Sequence, residues 1–268
     1  GMKTIYFEAD KVEIDVVMQV SNFYYPHGGY WSTMAIGNAE RIKNFTSRML
    51  AFDIFWFGCL VMMGSYHLGL FFQRKKDYTL LVFGAICFFV AMRTITTGEN
   101  YFVEIFKHHT VNAWDWVFKI NFLSIQTVPA LIIIFFYLLY PEEVNKILLY
   151  ISTIITSIWA VTVLITKPII YFDLYIKIFQ YFILIQGFYF LIIVLLAFKH
   201  KRSGSRIFFI GLCCFFITGL NDVLLVNGAI HSVYLATVGM MIFIFSQSYY
   251  LSYKFSLAYT ENENMRNM

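Results

Sequence analysis

Residues Ile207-Phe-Phe-Ile-Gly-Leu-Cys-Cys-Phe-Phe-Ile-Thr-Gly-Leu-Asn-Asp-Val-Leu-Leu-Val226 form an unbroken run of 20 residues with a single charge, Asp222. As a helix rising about 1.5 Å per residue, such a run matches the roughly 30 Å hydrocarbon core of a bilayer. The pattern repeats on both sides. Val233–Leu251 follows it, and Ile176–Phe198, Ile147–Ile165, Val117–Tyr140, Tyr78–Ile95 and Leu50–Phe72 precede it, giving seven runs in all. With a mean hydropathy of +0.66 and 13% charged residues, a water-soluble domain is excluded. Barrel strands would show alternating segments of about ten residues, which these runs do not. The expected fold is an all-α membrane protein, a seven-transmembrane helix bundle.

Most breaks between the runs are short, such as Gln73–Asp77, Pro141–Lys146 and Lys199–Arg206, so successive helices are expected to be antiparallel neighbours. Arg74, Lys75, Lys76, Lys146, Lys199, Lys201, Arg202 and Arg206 fall on one side of the membrane, with Lys254 just beyond the last run. The positive-inside rule makes that side cytoplasmic, giving an N-out, C-in orientation. The first residues lack the charged start and apolar stretch of a signal peptide. Val12-Glu-Ile-Asp-Val-Val-Met-Gln-Val20 instead alternates with the two-residue period of a half-buried strand. Turn residues Pro26 to Gly29 and a second extended run, Tyr30–Ile36, complete an expected β-hairpin. Two strands alone are marginal in water, so the hairpin reads as the remnant of a sandwich, and the chain as part of a longer protein.

Several phrases carry a more specific likeness. They are Gln19-Val-Ser-Asn-Phe23 with Gly28-Gly29, Met63-Gly-Ser-Tyr-His67 running on to Arg74-Lys-Lys-Asp77, Leu81-Val-Phe-Gly84 with Arg93 and Gly98-Glu99, and Tyr140-Pro-Glu-Glu143. In this order and spacing they resemble the bacterial seven-transmembrane receptors with diverse intracellular signalling modules. The resemblance covers most of residues 12–258. It implies residues 1–46 as the end of an extracytoplasmic β-sandwich sensor domain, 47–252 as the bundle and 253–268 as the start of a cytoplasmic signalling helix. A sensor of this kind would sit in a bacterial inner membrane, bind a small polar or carbohydrate ligand outside, work as a homodimer and hand its signal to a cytoplasmic output module.

Charges inside spans are costly and by default raise a functional question. Asp53, Arg93, Asn221 and Asp222 fall about one turn from the outer end, with Lys119, Asn121, Lys177 and Gln180 at similar depth. One reading is a water-filled pocket opening outward, with Arg93 paired to Asp222 or Asp53. The other is snorkelling to the interface. Glu99 lies in the longest break, Thr96–Trp116, which is placed to cap the pocket or dock on the hairpin. The candidate ligand or coupling residues are therefore Asp53, Arg93, Glu99, Lys119, Asn121, Asn221 and Asp222.

No metal or other cofactor is expected, because His108 and His109 lack zinc-motif spacing. No phosphate loop or nucleophile elbow suggests an enzyme, and nothing in the chain suggests a nucleic-acid partner. Cys59, Cys87, Cys213 and Cys214 all fall within spans and read as packing residues. His67 is expected to bond a neighbouring helix. Leu251, Phe255 and Ala258 continue a helical stripe past the last span, in keeping with a signalling helix. The alternative function from another class is a small-solute transporter.

Overall fold

The computed structural model describes residues 36–97 and 112–266, with Ile5, Phe7, Glu8, Val16 and Val17. The expected hairpin, Glu99, His108 and His109 lie outside these described residues. The helices are α1 (Ala39–Gln73), α2 (Tyr78–Thr97), α3 (Asn112–Leu139), α4 (Lys146–Ile165), α5 (Pro168–Lys199), α6 (Ser205–Val226) and α7 (Ala236–Arg266). Among the described residues there is no strand. The protein is a helical membrane bundle with seven helices among the described residues, and six of these, α1 to α6, are long and apolar enough to cross a bilayer. α7 is more polar, with Ser246-Gln-Ser248 interrupting it and charges in its last turns. It nevertheless belongs to the core, where Met240, Met241, Phe243, Ile244 and Leu251 are buried.

Helix ends follow local chemistry. Asn38 accepts a hydrogen bond from the Glu40 amide at 2.9 Å and so starts α1 11 residues before the apolar run. Its first turns therefore stand above the span. Asp77 and Asn145 cap α2 and α4 through the Thr79 and Ile147 amides. Pro168 occupies the first turn of α5, where a missing N–H is harmless. α7 begins at Ala236, three residues after the apolar run begins at Val233, for a reason that lies in α6 and is given below.

α3 touches α2, α4 and α5, while α1 lies along α2 and α7 along α6. In lipid, burying apolar surface does not by itself bring helices together, so close packing and hydrogen bonds must. Phe83, Phe135, Phe208 and Tyr250 make a continuous aromatic stack across α2, α3, α6 and α7, with centroids 5.0–6.0 Å apart. At the α1–α2 crossing Gly64 and Gly84 meet, and a Cβ on either would lie 3.2 Å from the other's carbonyl oxygen. His67 corrects the sequence expectation. Its Nδ1 pairs with the Met63 carbonyl of its own helix at 2.9 Å, and its ring meets Phe83 of α2 edge-on. On α4, Ile147, Ile154, Ile158, Val161 and Ile165 are exposed, an apolar face that suits lipid and not water.

Candidate functional site

The polar layer expected at the outer end is assembled by α2, α3, α6 and the start of α7. Arg93 is half-buried, and its Nη1 donates to Asn121 Oδ1 across a long 3.5 Å. Asn121 Nδ2 donates in turn to the hydroxyls of Thr96 and Thr97 at 3.1 and 2.9 Å. Those hydroxyls donate to carbonyls of α2, Thr96 to Met92 and Thr97 to Arg93. Asn121 thus ties α3 to the last turn of α2 through groups that already have partners.

Asp222 is the anion that acts on Arg93, through space and without a direct salt bridge among the described residues. Its carboxylate is occupied elsewhere. Oδ1 accepts the Leu235 amide at 2.7 Å and Oδ2 the Ala236 amide at 3.0 Å. These are the orphan donors at the start of α7, so Asp222 serves as an N-terminal cap supplied by a neighbouring helix, where the helix dipole favours negative charge. Asn221 Nδ2 adds bonds to Asp222 Oδ1 at 3.1 Å and to the Val233 carbonyl at 2.9 Å. The two residues together fix where α7 begins.

Of the other candidates, Lys119 donates to the Leu164 carbonyl at 2.8 Å and lies 5.6 Å from the Trp116 ring centroid. It closes the C-terminal end of α4 in the way a cation suits that end. Asp53 is half-buried on α1 and is not a free carboxylate. The structure therefore joins Arg93 with Asn121 directly, sets Asp222 and Asn221 beside them, and sends Lys119 to a different helix end. The side chain of Lys177 lies outside the described residues, and no group of metal-ligating side chains forms among the described ones.

A second polar assembly at the opposite end of the bundle was not singled out from the sequence. Glu143, whose side chain is only 3% exposed, meets His200 Nδ1 at 2.8 Å and Arg202 Nε at 3.4 Å. Arg202 also pairs with Glu142. Tyr140 Oη donates to the Ser203 carbonyl at 3.0 Å, and the Asn145 amide donates to Tyr189 Oη at 2.8 Å. The α3–α4 turn is thereby clamped to the α5–α6 turn. Gly204 has φ +76°, and a Cβ there would fall 2.0 Å from the Tyr250 ring. Only glycine accommodates both the left-handed backbone and the aromatic ring of α7. One signal was available: Glu142-Glu143 is an acidic pair on an otherwise basic face, one hairpin away from His200-Lys-Arg202. Buried Gln126, Gln186 and Gln247 also stand in mid-helix, and Gln126 has neither amide atom hydrogen-bonded.

A multi-pass helical bundle, with charged groups at one end and a clamp on the exit helix at the other, defines the class: a polytopic membrane protein built on seven helices. Residues 49–254 match the family described as 7TM diverse intracellular signalling, and the chain belongs to that family. It is a seven-transmembrane receptor domain of the kind coupled to diverse intracellular signalling. No curated protein matches the chain, and no solved structure does.

Proposed function

We propose that the bundle is a signal-transducing module that senses an extracytoplasmic ligand, or movement of an extracytoplasmic domain, and passes it to a cytoplasmic output through α7. One observation carries this reading. α7 is a single unbroken helix from Ala236 to Arg266, held at its first turn by Asp222 and packed on the inner turn through Tyr250. A change in the charge balance around Arg93 and Asp222 acts on the same rigid rod that leaves the membrane on the other side. At about 1.5 Å per residue that rod is some 46 Å long, more than the hydrocarbon core requires.

The mechanism is a population shift. Two arrangements of the bundle differ in how firmly Asp222 holds α7, and a ligand that engages Arg93 better in one of them favours it by its difference in affinity. Small polar ligands, carbohydrate among them, suit a layer made of a guanidinium, amides and hydroxyls. The membrane is the bacterial inner membrane, with the N-terminus outside and the basic turns inside. Two copies pair through the extension of α7 beyond Leu251.

The test is a distance measurement. Spin labels on Ser252 of α7 and Lys75 of the α1–α2 turn, both exposed, report the position of the exit helix by double electron–electron resonance in nanodiscs. Asp222→Asn is expected to shift or broaden the distance distribution relative to wild type. Superimposable distributions would end the proposal that the outer layer governs α7, and solute accumulation in proteoliposomes would support the transporter instead.

A further inference from the structure

The basic residues of the inner face are not evenly used. A cavity of about 580 Å³ opens at the α5–α6 turn, and its lining includes Phe198, Lys199, Lys201, Arg202, Arg206 and Ile207. Four of these residues are cationic and none is acidic. Arg202 is committed to Glu142 and Glu143, whereas Lys199, Lys201 and Arg206 make no ion pair among the described residues. The Arg206 guanidinium instead lies 5.9 Å from the Phe198 ring centroid. The cavity sits where two apolar spans end, Ile178–Lys199 and Ser205–Leu225, which is the level of lipid headgroups. Phe198, 47% exposed, lies on the same span end, so the wall of the cavity passes from charged to apolar within one side chain.

The turn itself supplies a second observation. Lys201 has φ +55°, and it is the non-glycine residue with positive φ among the described ones. That backbone belongs to the cap that stops α5, in which the Arg202 amide donates to the Ala197 carbonyl at 2.9 Å and the Lys201 amide to the Phe198 carbonyl at 3.0 Å, so Lys201 is fixed on the turn beside the cavity. The other inner cavity, about 500 Å³ at the α1–α2 turn, provides the contrast. Asp77 lines it together with Arg74 and Lys76, so one of its two cationic charges is balanced within the site.

We infer that the α5–α6 cavity binds the phosphodiester headgroup of an anionic phospholipid of the inner leaflet, with Lys199, Lys201 and Arg206 on the phosphate and Phe198 and Ile207 beside the first acyl carbons. Basic pockets between transmembrane helices on the cytoplasmic side recognise anionic headgroups by this chemistry. A lipid fits better than free phosphate because the apolar wall would be idle with an inorganic ion. Arg202 lines the cavity and also holds Glu143, so the bound lipid would adjoin the clamp beneath α7.

The experiment is native mass spectrometry of the purified chain in neutral detergent, titrated with phosphatidylglycerol and, separately, phosphatidylcholine. Wild type should retain one phosphatidylglycerol at concentrations where phosphatidylcholine does not bind. Each basic residue near a headgroup is worth about fivefold, so Lys199→Gln with Lys201→Gln and Arg206→Gln should weaken retention about a hundredfold. Neutralising Lys75, Lys76 and Lys146 to Gln removes the same charge elsewhere on the inner face and should change it by less than about threefold. Lys199→Arg with Lys201→Arg should keep the binding, which separates loss of charge from loss of fold. Equal losses in the two neutralised triples would overturn the inference in favour of diffuse attraction. Displacement of the lipid by millimolar inorganic phosphate would overturn the lipid as the ligand.

Discussion

In the proposed orientation, the outer layer and the inner clamp use similar side chains and hold them differently. Outside, among the described residues, Arg93 has one long hydrogen bond to Asn121, and Asp222 acts on it without touching it. Inside, Glu143 is in direct contact with two cationic partners, and Tyr140, Phe208 and Tyr250 close over the turn with ring centroids 5.0–5.8 Å apart. A contact pair and a separated pair differ in energy, and the exposure of His200 and Arg202 to solvent moderates that difference. Among the described residues, the Arg93 end has fewer direct ionic contacts than the Glu143 end, and under the proposed function these are the ends where a signal would enter and where α7 would leave. A receptor needs that asymmetry, because an element must be near balance to be shifted by a ligand and must be held firmly to report the shift.

Four measurements break or sharpen this comparison. The largest effect should come from Gly204→Ala, which sets a Cβ into the Tyr250 ring on a left-handed backbone. We expect a loss of about 3 kcal/mol or failure to fold, read as thermal unfolding in detergent. An unchanged midpoint would mean that the inner end is not rigid. Next, Glu143→Ala should cost roughly 2 kcal/mol, since it leaves Arg202 and His200 without their buried acceptor. Only about 1 kcal/mol of this should appear as coupling to Arg202 in a double-mutant cycle, because the Arg202 side chain is 39% exposed and solvent screens the pair.

Asp222→Ala should cost about 1–2 kcal/mol, as expected for a lost N-terminal cap. Its signature is local: faster hydrogen exchange at Leu235 and Ala236, with the middle of α7 unaffected. Protection that stays as in wild type would remove Asp222 from the start of α7. The smallest effect is the coupling between Arg93→Ala and Asp222→Ala, expected below about 1 kcal/mol because the two groups do not touch. Should it exceed the Glu143–Arg202 coupling, the outer layer is the tighter of the two assemblies and the comparison is reversed.

The apolar runs located the cores of the helices well, because a span must satisfy the length of the hydrocarbon region whatever lies beside it. They missed the first turns of α1, where Asn38 and Glu40 start a helix among polar residues, and they started α7 at Val233 instead of Ala236. Arg93 and Asn121 were legible as one layer from depth alone, and the structure joins them. Lys119 stood at the same depth, yet it reaches across to Leu164 of α4, 45 residues away in the chain. Glu143 was read only as part of a motif closing α3. Its burial depends on His200 and Arg202 arriving from the far end of α5, and nothing in the local sequence announces them.

Taken by itself, the sequence determined that the chain crosses a membrane as helices and where the apolar part of each helix begins and ends to within a few turns. A bilayer imposes these along one axis, the normal, and a residue's position on its own helix answers to that axis alone. Only the tertiary structure decided which polar groups meet, since lateral neighbours depend on how helices distant in sequence turn their faces toward one another. That is why Asp222 caps a helix, Lys119 closes another, and the firmest ionic contacts lie at the end of the bundle where the charges had read as a topology signal.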